Sequence, residues 1–249
     1  MERVGENLIR VENLSKAYEG KVIFKDLNMH VNHSEVVSVL GISGIGKTTL
    51  FNLVTGLEMC DEGRVFAPPD MGYMLQKDLL MPWKNTGENI SLPLILKGMD
   101  KKEAMEEVTR HLKTFGLEGS QELYPDALSG GMRQRAALLR TWLYSNEIML
   151  LDEPFSSVDA MVKYKLQKWL QGLIQEIDLT ILLITHDVRE AVLLSDRIYL
   201  MTGSPASISD ELVLTNKGLH NSPTGELVNK DDAEKLIYSI LEKELDRIS

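Results

Sequence analysis

A single cysteine, Cys60, in 249 residues excludes an intrachain disulfide and fits a reducing compartment. Long apolar runs are also missing. None approaches the roughly eighteen residues that a membrane-crossing helix needs, and the opening Met1-Glu-Arg-Val-Gly5 has no signal-peptide core. The chain is therefore expected to be soluble or peripheral, so any membrane role needs a partner. Basic residues are outnumbered: 27 Lys and Arg against 37 Asp and Glu leave a net charge of −10. That balance offers no basic stripe for a nucleic acid, and none is expected as a partner. What remains is ample for a core, since 43% of residues are hydrophobic. The length suits one large domain or two small ones.

Residues Gly41, Ile42, Ser43, Gly44, Ile45, Gly46, Lys47, Thr48 and Thr49 match the spacing G-x-x-x-x-G-K-[ST]. Glycines let a backbone wrap a phosphate, so that its N–H groups form an anion nest. Lys47 supplies a point charge for β- and γ-phosphates, and the Thr48 hydroxyl can ligate Mg²⁺. A glycine-rich turn before an ordinary helix would look similar, but the context is specific. Val36–Leu40 is a short β-branched run, as in a buried parallel strand. A helix starting near Thr48 turns its positive end toward the phosphates.

Similar apolar runs recur at Gly72–Leu75, Ile148–Leu151, Ile181–Ile184 and Ile198–Met201. Between the middle two, Val162, Leu166, Trp169, Leu170, Leu173 and Ile177 keep helical spacing. This alternation predicts an α/β fold with a parallel sheet covered by helices on both faces. The N-terminal part differs: Leu8–Val11, Val22–Phe24 and Leu27–Val31 read as short strands of an antiparallel layer. Residues 77–145 read as a helical subdomain inserted between a core of about 1–76 and 146–249. Within it, Asp100 and Glu103 have capping-box spacing, followed by Ala104, Met105, Val108, Leu112 and Phe115 on one face. Residues 203–230, polar and including Asn221-Ser-Pro-Thr224, read as a loop-rich connection. A final amphipathic helix from about Asp231 carries Ile237, Ile240, Leu241 and Leu245 as a stripe for packing on the core.

Ile148-Met-Leu-Leu-Asp-Glu-Pro154 is an apolar strand ending in two carboxylates. Asp152 at that tip suits a Mg²⁺ ion, and Glu153 suits a general base that polarises an attacking water. Such a pair is often only a solvated turn; the phosphate loop favours the chemical reading. His186 and Gln76 end two further strands at the carboxyl edge, where α/β sheets bind ligands. His186 can contact the γ-phosphate, and the Gln76 amide can join the Mg²⁺ shell or the attacking water. Leu128-Ser-Gly-Gly-Met-Arg-Gln-Arg135 adds a second nest at a helix start. One ATP does not need two nests from one chain, and a two-fold dimer resolves this by closing each nest over the partner's ATP. A Ser N-cap on an arginine-rich helix is an adequate alternative.

With this segment the chain, from roughly Leu8 to Thr202, resembles the ATP-binding-cassette ATPases. The resemblance implies a phosphate-loop (RecA-like) ATPase core in a single cassette domain spanning residues 1–249. It implies that Ser129, Gly130 and Gly131 act in trans on the opposing subunit's nucleotide. Tyr18 matches the aromatic that stacks on adenine, Gln76 the Q-loop glutamine and Glu153 the catalytic carboxylate. Asp159 matches the D-loop aspartate, and His186 the switch histidine. Val158 stands where Leu is usual, and Thr48 where Ser is commoner. Gln76-Lys-Asp-Leu-Leu-Met-Pro-Trp83 and Glu190-Ala-Val-Leu-Leu-Ser-Asp-Arg-Ile198 resemble the importer ATPases for nitrate, sulfonate and taurine. That implies ATP and Mg²⁺ as cofactors, a permease pair, an extracytoplasmic solute-binding protein and a place at the cytoplasmic face of the membrane. The apolar Asp78–Trp83 stretch suits either a permease helix or packing within the subdomain. Alternatives are a soluble clamp without a transporter, or the ATPase of a lipid or lipoprotein extraction or export complex.

Overall fold

The computed structural model describes residues 7–177, 179–215 and 226–248. In chain order, β1 (Asn7–Tyr18), β2 (Lys21–Asn32) and β3 (Val36–Leu40) precede α1 (Lys47–Val54) and β4 (Glu62–Phe66). Next come β5 (Gly72–Met74), α2 (Thr86–Leu96), α3 (Lys101–Leu112), a 3-10 turn (Pro125–Ala127) and α4 (Gly130–Tyr144). Then follow β6 (Met149–Asp152), α5 (Ala160–Ile177), β7 (Ile181–Thr185), α6 (Val188–Leu194) and β8 (Arg197–Thr202). The last elements are β9 (Ser207–Thr215), β10 (Glu226–Asn229) and α7 (Lys230–Ile248). Two compact units result: Met1–Pro69 with Thr180–Ser249, and Asp70–Leu179.

In the first unit β3 runs parallel to both β7 and β8, with Val36 opposite Ile181 and Val37 opposite Arg197. All five residues of β3 and of β7 are buried, which is why both read as mainly apolar runs without an exposed face. The strand order here is β10-β9-β8-β3-β7, and β9 joins β8 antiparallel. A second sheet, β2-β1-β4, is antiparallel throughout. The three short strands expected at the N-terminus are in fact one hairpin of two 12-residue strands, plus β4. Asp26, at φ 51°, interrupts the alternation inside β2 and makes one strand look like two.

The stretch 203–230 also departs from expectation. It contains β9 and β10, which pair parallel from Glu226 opposite Leu212 to Asn229 opposite Thr215. Leu212 and Leu214 are buried against Ile198, Leu200, Ala233 and Ile237, so the period-2 signal is real but confined to its last residues. Asn221–Thr224 lies outside the described residues. The α7 helix lays Ile237, with Ile240 and Leu241 partly buried, on that cluster and on Val188, Ala191 and Val192 of α6. This is the expected packing on the core; the Leu245 side chain is not among those described.

In the second unit β5 and β6 are parallel, with Gly72 opposite Met149. Gly72 is required there, because a Cβ would lie 2.5 Å from the Thr141 carbonyl oxygen of α4. Helices α2, α3 and α4 fill Thr86–Tyr144. A full capping box starts α2, where Asn85 accepts from Glu88 N–H and the Glu88 carboxylate accepts from Asn85 N–H. At α3 the Asp100 carboxylate instead caps Lys102 N–H at 2.8 Å, one residue short of the box expected with Glu103. Ala104, Val108, Leu112 and Phe115 are buried as the spacing predicts.

Candidate functional site

In the first unit, β3 delivers the chain into the glycine-rich loop. Gly41 is buried, and a Cβ there would lie 2.8 Å from the Met201 carbonyl oxygen. Gly46, at φ 110°, is the N-cap of α1 and takes a backbone conformation that L side chains rarely adopt. Ser43, Gly44 and Thr48 are exposed, while Ile45 and Thr49 are half-buried. Lys47 is the reverse: only 5% exposed, its Nζ donates to the Gly41 and Ile42 carbonyls at 2.9 and 3.0 Å. The loop thus holds its cation against its own mouth. Leu50, Phe51, Leu53 and Val54 bury the far side of α1, fixing its N-terminus behind the loop.

Tyr18 ends β1 and is 39% exposed. Its hydroxyl donates to the Glu58 carboxylate and lies beside Thr49 of α1. The Glu58 hydrogen bond, with some burial, pushes that hydroxyl's pKa above its usual value. His186 is exposed just beyond the buried β7. The next residue, Asp187, caps α6 by accepting from Arg189 and Glu190 N–H. Tyr18, the phosphate loop and His186 therefore belong to one unit.

The second unit holds the other candidates. Buried β6 ends at Asp152, 6% exposed, and Glu153 follows at φ 46°. A left-handed glutamate is a strained placement, held here by the Ser156 N–H and hydroxyl donating to its carbonyl at 3.1 and 2.9 Å. The Gln76 amide reaches the Glu153 carboxylate at 3.4 Å. Half-buried Tyr73 beside Asp152 has its hydroxyl pKa pushed up, mainly by desolvation and further by that carboxylate. Ser129 is the N-cap of α4, its hydroxyl accepting from Met132 N–H at 3.2 Å. Gly130 and Gly131 open the helix, and a Cβ on Gly131 would come within 3.2 Å of Val162 on α5. Asp159 caps α5, accepting from Met161 and Val162 N–H.

Sequence reasoning missed one link. Gln134 of α4 is 1% exposed and donates its amide to the Pro154 carbonyl, tying the Ser129 helix to the turn that carries Glu153. A lone Gln in an arginine-rich helix gives no sequence signal of this. The Asp78–Trp83 stretch divides between its two readings: Leu80 is buried, whereas Leu79 and Trp83 are 53% and 71% exposed. Arg140 of α4 holds it up, donating to the Asp78 and Leu79 carbonyls at 2.6 and 2.9 Å.

Among the described residues no group of three or more His, Cys, Asp and Glu could cage a metal. The Thr48 hydroxyl in the first unit, and the Gln76 amide and Asp152 carboxylate in the second, are each hard oxygen donors of the kind that Mg²⁺ takes beside phosphates and water. No helix among the described residues is long and apolar enough to cross a membrane.

A glycine loop closing on its lysine, at a helix start beyond a buried parallel strand, defines a phosphate-loop nucleotide-binding protein. Comparison with known proteins narrows the class. The family described as ABC transporter matches residues 24–156. The chain is 46% identical over 203 residues to the formylaminopyrimidine import ATP-binding protein of Halalkalibacterium halodurans, covering 80% of this chain and 82% of that one. It is 35% identical over 227 residues to the nitrate import ATP-binding protein of Synechocystis sp., covering 86% and 85%. The taurine import ATP-binding protein of Escherichia coli is 35% identical over 215 residues, covering 83% and 84%. Among solved structures, a dimeric ATP-binding cassette in a post-hydrolysis state with ADP and Pi superposes with a TM-score of 0.69. It is 26% identical and covers 85% of this chain and all of that one. The cbiO1 protein from Clostridium perfringens, at 23% identity, shares the fold with a TM-score of 0.76 over 97% and 94% of the two chains. The chain belongs to the ABC transporter family, as an ATP-binding subunit with ATPase activity.

Proposed function

We propose that this chain is the energy-coupling ATPase of an importer, closing as a two-fold dimer on two Mg-ATP and driving separate permease subunits. The placement of Gln76 against a left-handed Glu153 carries the catalytic part of this reading. Lys47 and the loop N–H groups from Ser43 to Thr49 hold the β- and γ-phosphates, and Tyr18 stacks on the adenine. Glu153 takes a proton from water as its oxygen attacks the γ-phosphorus; the bond to the β-phosphate oxygen breaks, and ADP leaves with phosphate. Gln76 orients that water, and His186 donates to the γ-phosphate. Thr48, Asp152 and Gln76 would hold Mg²⁺, whose charge offsets that of the phosphates. Ser129, Gly130 and Gly131 cap the partner subunit's nucleotide, with Asp159 at the seam.

The printed roles of the relatives, import of formylaminopyrimidine, nitrate and taurine, support an importer for a small polar solute. Exposed Leu79 and Trp83, braced by Arg140, supply a surface for the permease at the cytoplasmic face. An extracytoplasmic solute-binding protein completes the complex. Steady-state ATP hydrolysis tests the catalytic assignment. Glu153→Gln is expected to bind ATP normally and to lose turnover by roughly 10²–10⁴-fold; turnover near wild type would remove Glu153 from its role.

A further inference from the structure

Two side chains from outside the phosphate loop, Glu58 and Lys16, join Thr49 beside Tyr18, and a third, Asn52, holds Glu58. The Tyr18 hydroxyl donates to Glu58. The other oxygen of that carboxylate accepts from the Asn52 amide at 2.9 Å, and Asn52 lies on α1. Lys16 places its ammonium 5.2 Å from the Tyr18 ring centroid. The same ammonium donates to the Met59 carbonyl at 2.8 Å and to Asp61 at 3.1 Å. Asp61 also accepts from the Ala17 N–H at 2.7 Å. The loop from Leu57 to Asp61, immediately after the phosphate-binding helix, thus clasps the end of β1 at three consecutive residues.

Two features make this more than surface decoration. The first is directional: α1 turns its N-terminus to the phosphate loop and sends Asn52 from its side to the clasp. A continuous chain, α1 to Asn52 to Glu58 to Tyr18, then ties the ring to the helix behind the phosphates. The second is that the ring is held at its edge by the hydroxyl and on one side by the Lys16 cation, which leaves the opposite face for a base. An unclasped tyrosine on an exposed strand end would have to be ordered by the nucleotide itself, and that entropy would be lost from binding.

We propose that Glu58 is a positioning residue for nucleotide recognition, fixing the Tyr18 ring through its hydroxyl so that the adenine face is set before ATP arrives. This rests on the reading of Tyr18 as the adenine platform. Because the ring meets the base and not the reacting phosphate, its loss weakens substrate and transition state alike; KM rises and kcat holds.

The test uses the full chain, with Mg-ATP kinetics and calorimetric binding of ATP and of tripolyphosphate, which has no base. Glu58→Ala is expected to raise the ATP KM about three- to ten-fold, the worth of one net hydrogen bond, with kcat within about two-fold. Tyr18→Phe, which keeps the ring and removes only the hydroxyl, should match it, and the double variant should be no worse. Glu58→Gln can still accept from the hydroxyl and should restore most of the affinity. Tripolyphosphate affinity should be unchanged in all of them. Glu58→Ala that weakens tripolyphosphate as much as ATP, or that multiplies with Tyr18→Phe, would overturn the proposal. A Tyr18→Ala control separates the two levels. If it raises KM while Glu58→Ala does not, only the clasp is wrong; if it leaves KM unchanged, the adenine platform itself falls.

Discussion

Gly44 and Gly46 both sit at positive φ in the phosphate loop, 80° and 110°, yet their surroundings differ. A Cβ on Gly44 would meet nothing within 4 Å, whereas one on Gly46 would lie 2.9 Å from both Ile23 Cγ2 and Phe24 Cε1. Phe24 is fully buried in β2 and cannot swing aside. Replacing either glycine by alanine imposes a backbone cost of about 1–3 kcal/mol. At Gly46 alone the methyl must also displace a packed ring, adding about 1–3 kcal/mol. For a chain of this size each kcal/mol lowers Tm by roughly 2–4 °C. Gly46→Ala should therefore melt about 2–12 °C below Gly44→Ala. Nucleotide-free differential scanning fluorimetry on the two variants and the parent reads this difference directly. Equal melting temperatures, or the lower one for Gly44→Ala, would show that Phe24 does not police the loop's last glycine.

Other expectations concern the second unit. If the Ser129 nest serves the partner's nucleotide as proposed, Ser129→Arg should abolish ATP turnover while leaving the monomer's ATP affinity near that of the parent; an equal loss of monomer affinity in calorimetry would place Ser129 in cis. Gln134→Ala leaves the buried Pro154 carbonyl without its amide partner, and should lower stability by about 1–3 kcal/mol in urea. It should also reduce kcat, since the Glu153 turn loses its tie to α4; a variant as stable and active as the parent would contradict the link. Trp83→Asp should leave ATP hydrolysis by the isolated chain intact but remove it from membrane complexes purified with its permease; undiminished co-purification would move the docking surface elsewhere.

Much of this was legible because chemistry and backbone signals coincide. The run Val36–Leu40, then Gly41 to Lys47, states a strand, a nest and a helix start within twelve residues, and β3 and α1 form there. The carboxylates after β6 and the N-capping Ser129 were equally plain. Where the reading fell short, the determinants were tertiary. The left-handed Asp26 splits the pattern of a single β2, and β9 sets Ser209, Asp210 and Glu211 between Ile208 and Leu212. Glu58 and Gln134 act through partners 40 and 20 residues away, a separation at which periodicity and spacing say nothing. Lys16 and Asp61, drawn together by the β1–β4 pairing, are hidden for the same reason.

The central claim is that ATP joins two copies of this chain and that Glu153 ends that state by hydrolysis. Light scattering coupled to size exclusion on Glu153→Gln, with Mg-ATP, with Mg-ADP and without nucleotide, tests it most directly. The account predicts a doubled mass with Mg-ATP alone. A monomeric mass with ATP demonstrably bound, or a dimer indifferent to nucleotide, would contradict it.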